Sequence, residues 1–408
     1  MHPVQQKQLS MKSGQPEQGS SGASSGQIMI VGGGIAGLAL ANALQRGGRQ
    51  VTIYERSAVH EERGAGIVLA ANALKVLEKL GLAGQVRASG AAVRSAEIRS
   101  WDGKPVMRLP VHEQADRYGT YSYLIHRAEL HRILLKGLEP GTIRLDKRFL
   151  HYQEGPDAVT ASFAGGEQAE GALLVGADGI HSKVRSQLAG DPPLRYSGYT
   201  ARRGIAHFRD SRYPVELGGG FEAWGPGKRF GFSHLGNDRI FWFAAINAPQ
   251  GLQAAPEGRK AETLRHFRGW CEPIEAVVES TPEEAVLAHD IFDMKPLPYC
   301  SAGRVVLLGD AAHPMLPNLG QGGAQALEDA WVLADLLLAL PGNLPAALAE
   351  YEHRRRARTA KVAERSRRMA RMVQLEHPAA LYARNSLLRL LPSQMSIKAL
   401  DWLLGYEV

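Results

Sequence analysis

Cysteine is nearly absent: Cys271 and Cys300 are the only two in 408 residues, and neither has a CxxC or metal-ligand spacing. A disulfide framework is therefore not expected, and the reducing cytoplasm is the default compartment. Long apolar runs are missing too. No stretch approaches the roughly 18 apolar residues of a membrane span, so a soluble protein is expected. Fourteen histidines are present, but none falls in an HExxH or HxH cluster, and no metal site is expected. The remaining composition, 44% hydrophobic and 22% charged, is that of an ordinary globular enzyme. Residues 1–26 are rich in Ser, Gly and Gln and lack the apolar core of a secretion signal. They read as a disordered tail.

The net charge of +7 is unevenly placed. Nine basic residues lie between Arg354 and Arg371, with Glu364 the only acid among them. Such a run suits nucleic acid or an anionic membrane, or else the solvated face of a long helix with Ala357, Ala360, Val362, Met369 and Met372 partly inward. No stacking aromatics are interleaved, so the solvated face is expected and nucleic acid is not a partner.

What is present begins at Gln27. Ile28–Val31 reads as a strand buried on both faces. Gly32-Gly33-Gly34-Ile35-Ala36-Gly37 follows, then an Ala/Leu-rich helix from Leu38 to Arg46, the stop Gly47-Gly48, and a second strand Val51–Tyr54 ending at Glu55-Arg56. In this GxGxxG turn Gly32 permits the sharp bend, Gly34 lets backbone approach a pyrophosphate, and Gly37 lets the helix lie close on the strand. The helix N-terminus offers free N–H groups to phosphate. Glu55, 18 residues after Gly37, suits a ribose diol, and its charge disfavours a 2′-phosphate. Dinucleotide binding is expected, with FAD and NAD not distinguished by this motif alone.

Two later motifs narrow the choice. Ala172–Val175 is an apolar strand followed by Gly176-Ala177-Asp178-Gly179-Ile180-His181-Ser182-Lys183-Val184-Arg185. Arg304–Leu308 is another, running into Gly309-Asp310-Ala311-Ala312-His313-Pro314, then Pro317-Asn318-Leu319-Gly320-Gln321-Gly322-Gly323 and a helix from Ala324 to Leu340. A strand ending in Gly-Asp sets a carboxylate beside a ribityl chain. The Gly320–Gly323 turn aims N–H groups and a helix N-terminus at one end of a flavin, where reduction develops negative charge.

These three ordered motifs resemble the group A flavoprotein monooxygenases, the family of 4-hydroxybenzoate and salicylate hydroxylases, with zeaxanthin epoxidase-like features; the resemblance runs from about Gln27 to the end. It implies an α/β fold: a Rossmann-like FAD domain (27–95, 120–190 and 285–345), an inserted mixed-sheet substrate domain (96–119 and 191–284), and C-terminal helices (346–408). It implies that Gly32, Gly34, Ile35, Ala36, Gly37, Glu55, Arg56 and Gly66 hold FAD. Arg127 in "HRAEL" then reaches the FAD phosphate or ribose, and Asp178, supported by Arg185, contacts FAD or NAD(P)H. Gly309 and Asp310 take the ribityl and pyrophosphate region, and Pro317, Gly320, Gln321, Gly322 and Gly323 line the isoalloxazine. Some members carry an arginine where Gly64 stands; here the neighbour Arg63 is the nearest counterpart. For Asp178 a simpler role, capping the following helix, remains open.

Between Arg195 and Asn247 the pattern changes to a meander: Phe221–Trp224, Arg229–His234 and Arg239–Asn247, parted by glycine turns. A sheet apolar on both faces should carry helices on one side and cover a pocket on the other. Trp224, Phe230, Phe232 and Phe243 are the expected pocket aromatics, Arg203 a partner for a substrate carboxylate or phenolate, and His207 and His234 candidate bases. The activity the resemblance implies is hydroxylation of a small aromatic or heteroaromatic substrate through a flavin C4a-hydroperoxide, with O2 and NADPH or NADH as transient co-substrate, in a monomer or homodimer. Epoxidation of an isoprenoid alkene, flavin reduction alone, and nucleic-acid binding through the basic helix are the alternatives.

Overall fold

The computed structural model describes residues 26–59, 64–252, 257–390 and 397–408. Residues 1–25 and Arg63 lie outside the described residues, and with them nearly all of the expected tail.

Ile28–Val31 is buried at every position because it lies in mid-sheet, paired in parallel with Val51–Tyr54 on one side and Leu173–Gly176 on the other. The six strands run in the order Ser301–Ala302, Val305–Leu307, Leu173–Gly176, Ile28–Val31, Val51–Tyr54, Ile143–Arg144. Only the outermost, Ser301–Ala302, is antiparallel. Helices Ile35–Arg46 and Gly322–Ala339 pack against each other and share the main core with this sheet. A three-stranded antiparallel meander (Phe149–Glu154, Val159–Phe163, Gln168–Gly171) joins the same core, its Phe163 stacked on Tyr54 at 4.4 Å between ring centres.

The second sheet has seven strands, in the order Leu287–Asp293, Arg195–His207, Arg239–Asn247, Lys228–Gly236, Gly220–Gly225, Ala96–Ser100, Pro105–Arg108. The meander expected from the glycine turns is there, antiparallel throughout. The domain boundary needs correction: Leu287–Asp293 pairs with Arg195–His207, so the second sheet runs past residue 285 to Asp293.

Strand alternation sorts the aromatics of this sheet. Phe230, Phe232, Ile240 and Trp242 point to the face covered by helices Arg259–Phe267 and Ile274–Glu279, forming one buried core with Phe267, Ile274 and Val277. Tyr199, Arg203, Phe241 and Phe243, related by direct cross-strand pairing, therefore share the opposite face, which looks toward the first sheet. Gly66–Leu69, in a small sheet with Tyr123–His126 and Ala91–Ala92, closes on that face so tightly that a Cβ at Gly66 would stand 2.5 Å from the Phe241 ring.

Helix Leu344–Val373 spans both units. At its near end Arg355 is buried against the first; near its far end Arg367 donates to both oxygens of Asp293 in the second, at 2.5 and 2.6 Å. The expected solvated basic face is thus corrected in part. Arg355 is wholly buried, Arg358 is paired with Glu328, and Lys361 and Arg365 lie over the Trp402 ring at 4.6 and 4.3 Å. Internal partners take up much of the charge that suggested an external polyanion. No helix among the described residues is long and apolar enough to cross a membrane.

Candidate active site

The first turn is held by close packing that only glycine allows. Gly32 has φ +108°, and a Cβ there would meet the Ala177 carbonyl at 2.4 Å; one at Gly37 would meet the Gly32 carbonyl at 2.1 Å. Gly34 differs, because nothing lies within 4 Å of the place its Cβ would take. The protein itself does not require glycine there; a group approaching from outside does. Gly34 caps helix Ile35–Arg46 with no side-chain hydrogen bond, so the first-turn N–H groups face that open space. Glu55 accepts from the N–H of Gly33 at 2.7 Å and of Ser57 at 2.9 Å. An ionised carboxylate has about four acceptor positions, which leaves room for a ribose diol.

The second motif acts mainly on the protein itself. Asp178 accepts from the Ser182 hydroxyl and from the N–H groups of Lys183 and Val184 at 2.7 and 3.3 Å. It caps the helix that follows, the simpler of the two roles expected of it. Arg185, buried, donates to the carbonyls of Ile180 at 2.7 Å and Ala311 at 3.1 Å. It ties the second motif to the third and does not point at a ligand.

Asp310 is the exception among these acids. Protein encloses it, yet its side chain opens into the cleft, and among the described residues nothing donates to its carboxylate. Burial raises its pKa above the usual carboxylate range, opposed by His313, Arg127 and Arg185. An acceptor with no protein donor, at the end of a buried strand, fits a polyhydroxyl chain. Beyond it Gly320 takes the left-handed conformation at φ +63°, and helix Gly322–Ala339 starts without a side-chain cap. Here too one glycine, Gly322, faces open space, while a Cβ at its neighbour Gly323 would stand 2.6 Å from Ile67. Both turns therefore end in an uncapped helix N-terminus beside unfilled room.

A buried ionic cluster behind these turns escaped sequence reasoning. Asp329 accepts from the Gly309 N–H at 2.9 Å, from His313 Nε2 at 2.6 Å and from Arg355 Nε at 2.7 Å. Glu328 accepts from Asn72 at 2.6 Å and from Arg358 at 2.7 and 2.8 Å. Gln321 and Gln325 complete it. Both carboxylates are fully buried. Burial would raise Asp329, but His313 and Arg355 beside it outweigh that and hold its pKa at about 2. The signal was Glu328-Asp329 in the middle of a mostly apolar helix, where two adjacent acids at buried positions require buried partners.

On the other wall the pocket aromatics need correction. Phe230 and Phe232 point into the helix-backed core, away from the cleft. Trp224 lies on the cleft-facing side but is covered by Arg384 at 4.9 Å and packed with Val373. His234 is buried with Nε2 on the Tyr213 carbonyl, and His207 is exposed at the end of its strand; neither is placed as a base. Phe243 remains, with Arg229 over its ring at 5.2 Å. Beside it the Tyr199 hydroxyl donates to Asn318 Oδ1 at 2.8 Å, joining sheet to flavin turn. Arg203 has no hydrogen-bond or ion-pair partner among the described residues. Burial and its neighbours Arg127 and Arg229 pull its pKa below the usual arginine value.

The comparisons agree with this geometry. Residues 25–366 match the FAD binding domain family. The chain is 39% identical over 366 residues to aurachin C monooxygenase/isomerase of Stigmatella aurantiaca, covering 90% of this chain and 94% of that protein. It is 32% identical over 321 residues to 6-hydroxynicotinate 3-monooxygenase of Bordetella bronchiseptica, covering 75% and 81%. Klebsiella pneumoniae HpxO, solved with FAD and uric acid, superposes with TM-score 0.86 at 28% identity, covering 93% and 96%. A salicylate hydroxylase substrate complex gives 0.77 at 26%, covering 94% and 96%. The chain belongs to the FAD-dependent aromatic monooxygenases: it is an oxidoreductase that uses FAD and NAD(P)H to hydroxylate an aromatic substrate. The open glycines and the donorless Asp310 fit that cofactor.

Glu55→Lys should weaken FAD ten- to a hundredfold, since a charge-assisted hydrogen bond contributes about 1.5–3 kcal/mol and the replacement cation cannot accept from the ribose. Fluorescence titration of the apoprotein measures this; unchanged affinity would remove Glu55 from the site.

Proposed function

We propose that the enzyme hydroxylates a flat aromatic or heteroaromatic ring carrying an anionic group, which Arg203 binds. The supporting observation is that Arg203, half-buried on the cleft wall, has no acid for a partner among the described residues. A half-buried unpaired guanidinium carries a desolvation cost, which a ligand carboxylate offsets through two parallel hydrogen bonds, or a phenolate through its single oxygen. Gly32, Gly34, Ile35, Ala36, Gly37, Glu55 and Arg56 would hold the ADP half of FAD. Gly66, Arg127, Gly309, Asp310, Pro317 and Gly320–Gly323 would hold the ribityl and ring end. FAD held there would supply the redox chemistry of an NAD(P)H- and O2-dependent hydroxylation. The protein orients the ring and keeps water out: Phe241 and Phe243 give an apolar wall and Arg203 fixes the rotation. A cytoplasmic monomer or homodimer is the setting we propose.

Arg203→Gln tests this reading. It should raise the dissociation constant of 6-hydroxynicotinate for the oxidised holoenzyme about ten- to a hundredfold, the value of a lost charged hydrogen bond, with FAD retained. Equal binding by the two proteins would sink the anion-binding role.

A further inference from the structure

Hydroxylation of a phenol goes faster on the phenolate, so a cleft that binds phenols benefits from a group that takes the proton. Among the described residues the cleft-facing wall offers arginines (Arg203, Arg229), the tyrosine Tyr199, already donating to Asn318, and one histidine not yet considered, His289. His289 lies on the edge strand Leu287–Asp293, directly across from Ala201. Its orientation follows from its neighbours. Ile291 packs with Tyr199, Leu316 and Ala370, and Asp293 meets Arg367 of the long helix, so alternate residues 289, 291 and 293 share the cleft side. Val286, of the opposite parity, joins the helix-backed core. The long helix covers the 291–293 end, and His289 is the next position outward, exposed.

We propose that His289 is a catalytic base that accepts the proton of a phenolic substrate held by Arg203. The O–H bond of the substrate breaks and an N–H bond forms on the imidazole. The electron pair stays on oxygen, so the ring enters the oxygen-transfer step as an electron-rich phenolate lying between an imidazolium and a guanidinium. The charged groups around His289 suit this role. Partial enclosure by the protein, then Arg203 on the neighbouring strand, Arg259 on helix Arg259–Phe267, and Arg202 all lower its pKa from the usual histidine value. Arg202 is paired with buried Glu262, and Asp290 accepts from the Gly251 N–H. These surroundings favour the neutral, proton-accepting imidazole relative to an isolated histidine. Its protonated form gains what it lacks before binding, an adjacent anion. The role rests on the anion-binding reading of Arg203.

The test follows the proton in the oxidised holoenzyme, without turnover, using 4-nitrophenol below its own pKa. The phenolate is visible in the difference spectrum, and calorimetry in buffers of different ionisation enthalpy counts protons released. Wild type should bind the phenolate with no net proton release, because His289 keeps the proton, and this should fade as pH falls through the depressed His289 pKa. His289→Asn should bind neutral phenol, with affinity reduced about tenfold, or bind phenolate while releasing about one proton to the buffer. His289→Ala should behave the same way, which separates loss of the base from a steric effect of asparagine. The same phenolate fraction and proton count in wild type and both variants would overturn the proposal. Arg203→Gln instead weakens binding at every pH whether or not His289 is present, so the two ideas fail separately.

Discussion

Arg355→Ala should destabilise the protein by about 3–5 kcal/mol, the cost of breaking one partner out of a buried ion pair. The reason is position more than number of contacts. Arg355 donates to Asp329 at 2.7 Å and to the Gln325 side chain at 2.8 Å, and it also meets Glu328. It comes from a helix distant in sequence from both turns that it braces. Removing it leaves Glu328 with Arg358 and Asn72, but leaves Asp329 with only His313 and a backbone N–H. The sign of the pH dependence follows. A carboxylate held near 2 contributes stability above its ordinary pKa and loses it as pH falls through the depressed value. Without Arg355 the Asp329 pKa rises and acid unfolding begins at higher pH. Denaturant melts across pH measure both effects. A stability loss below about 1 kcal/mol, the level of an exposed pair, would show that the cluster does not brace the turns.

Asp310→Ala should weaken FAD by tenfold or more, because the ribityl hydroxyls it would accept from are left unpaired at about 1–3 kcal/mol. It should also uncouple the reaction: a cofactor held less firmly lets NAD(P)H consumption outrun product and releases hydrogen peroxide. A pH effect accompanies this in the wild type. Only the ionised carboxylate is acceptor at both oxygens, and burial has raised its pKa, so FAD affinity should climb as pH rises through that displaced value. In Asp310→Ala the climb should vanish. Tight FAD and a wild-type ratio of product to NAD(P)H in the variant would remove Asp310 from the cofactor site.

The turns expected to face FAD were legible as turns because their rules are local. Gly32, Gly37 and the Gly309-Asp310 turn are specified by strand, turn and helix within a few residues, and the structure has those strand, turn and helix arrangements. The substrate side was not, because it depends on which face of a strand looks inward. Phe230 and Phe232 read like pocket residues, yet the parity of their strand is set by helices Arg259–Phe267 and Ile274–Glu279, which sequence periodicity alone does not place. His289 was missed because its strand adds to the sheet edge long after the meander that founds it. Arg355 was read as surface because its partners Glu328 and Asp329 lie on another helix. Asp178 shows the reverse lesson: a residue in a ligand-like motif whose acceptors go to its own loop.

The central claim, that this cleft holds FAD and uses it to put oxygen from O2 into an aromatic ring, is tested most directly by isotope. The FAD-loaded protein is given NADPH or NADH under ¹⁸O2 with a set of phenols and N-heteroaromatic acids, and products are read by mass spectrometry. The account predicts that compounds stimulating NAD(P)H oxidation include at least one that gains a single labelled oxygen atom. Stimulated oxidation that yields only hydrogen peroxide, with label entering none of the rings, would contradict it.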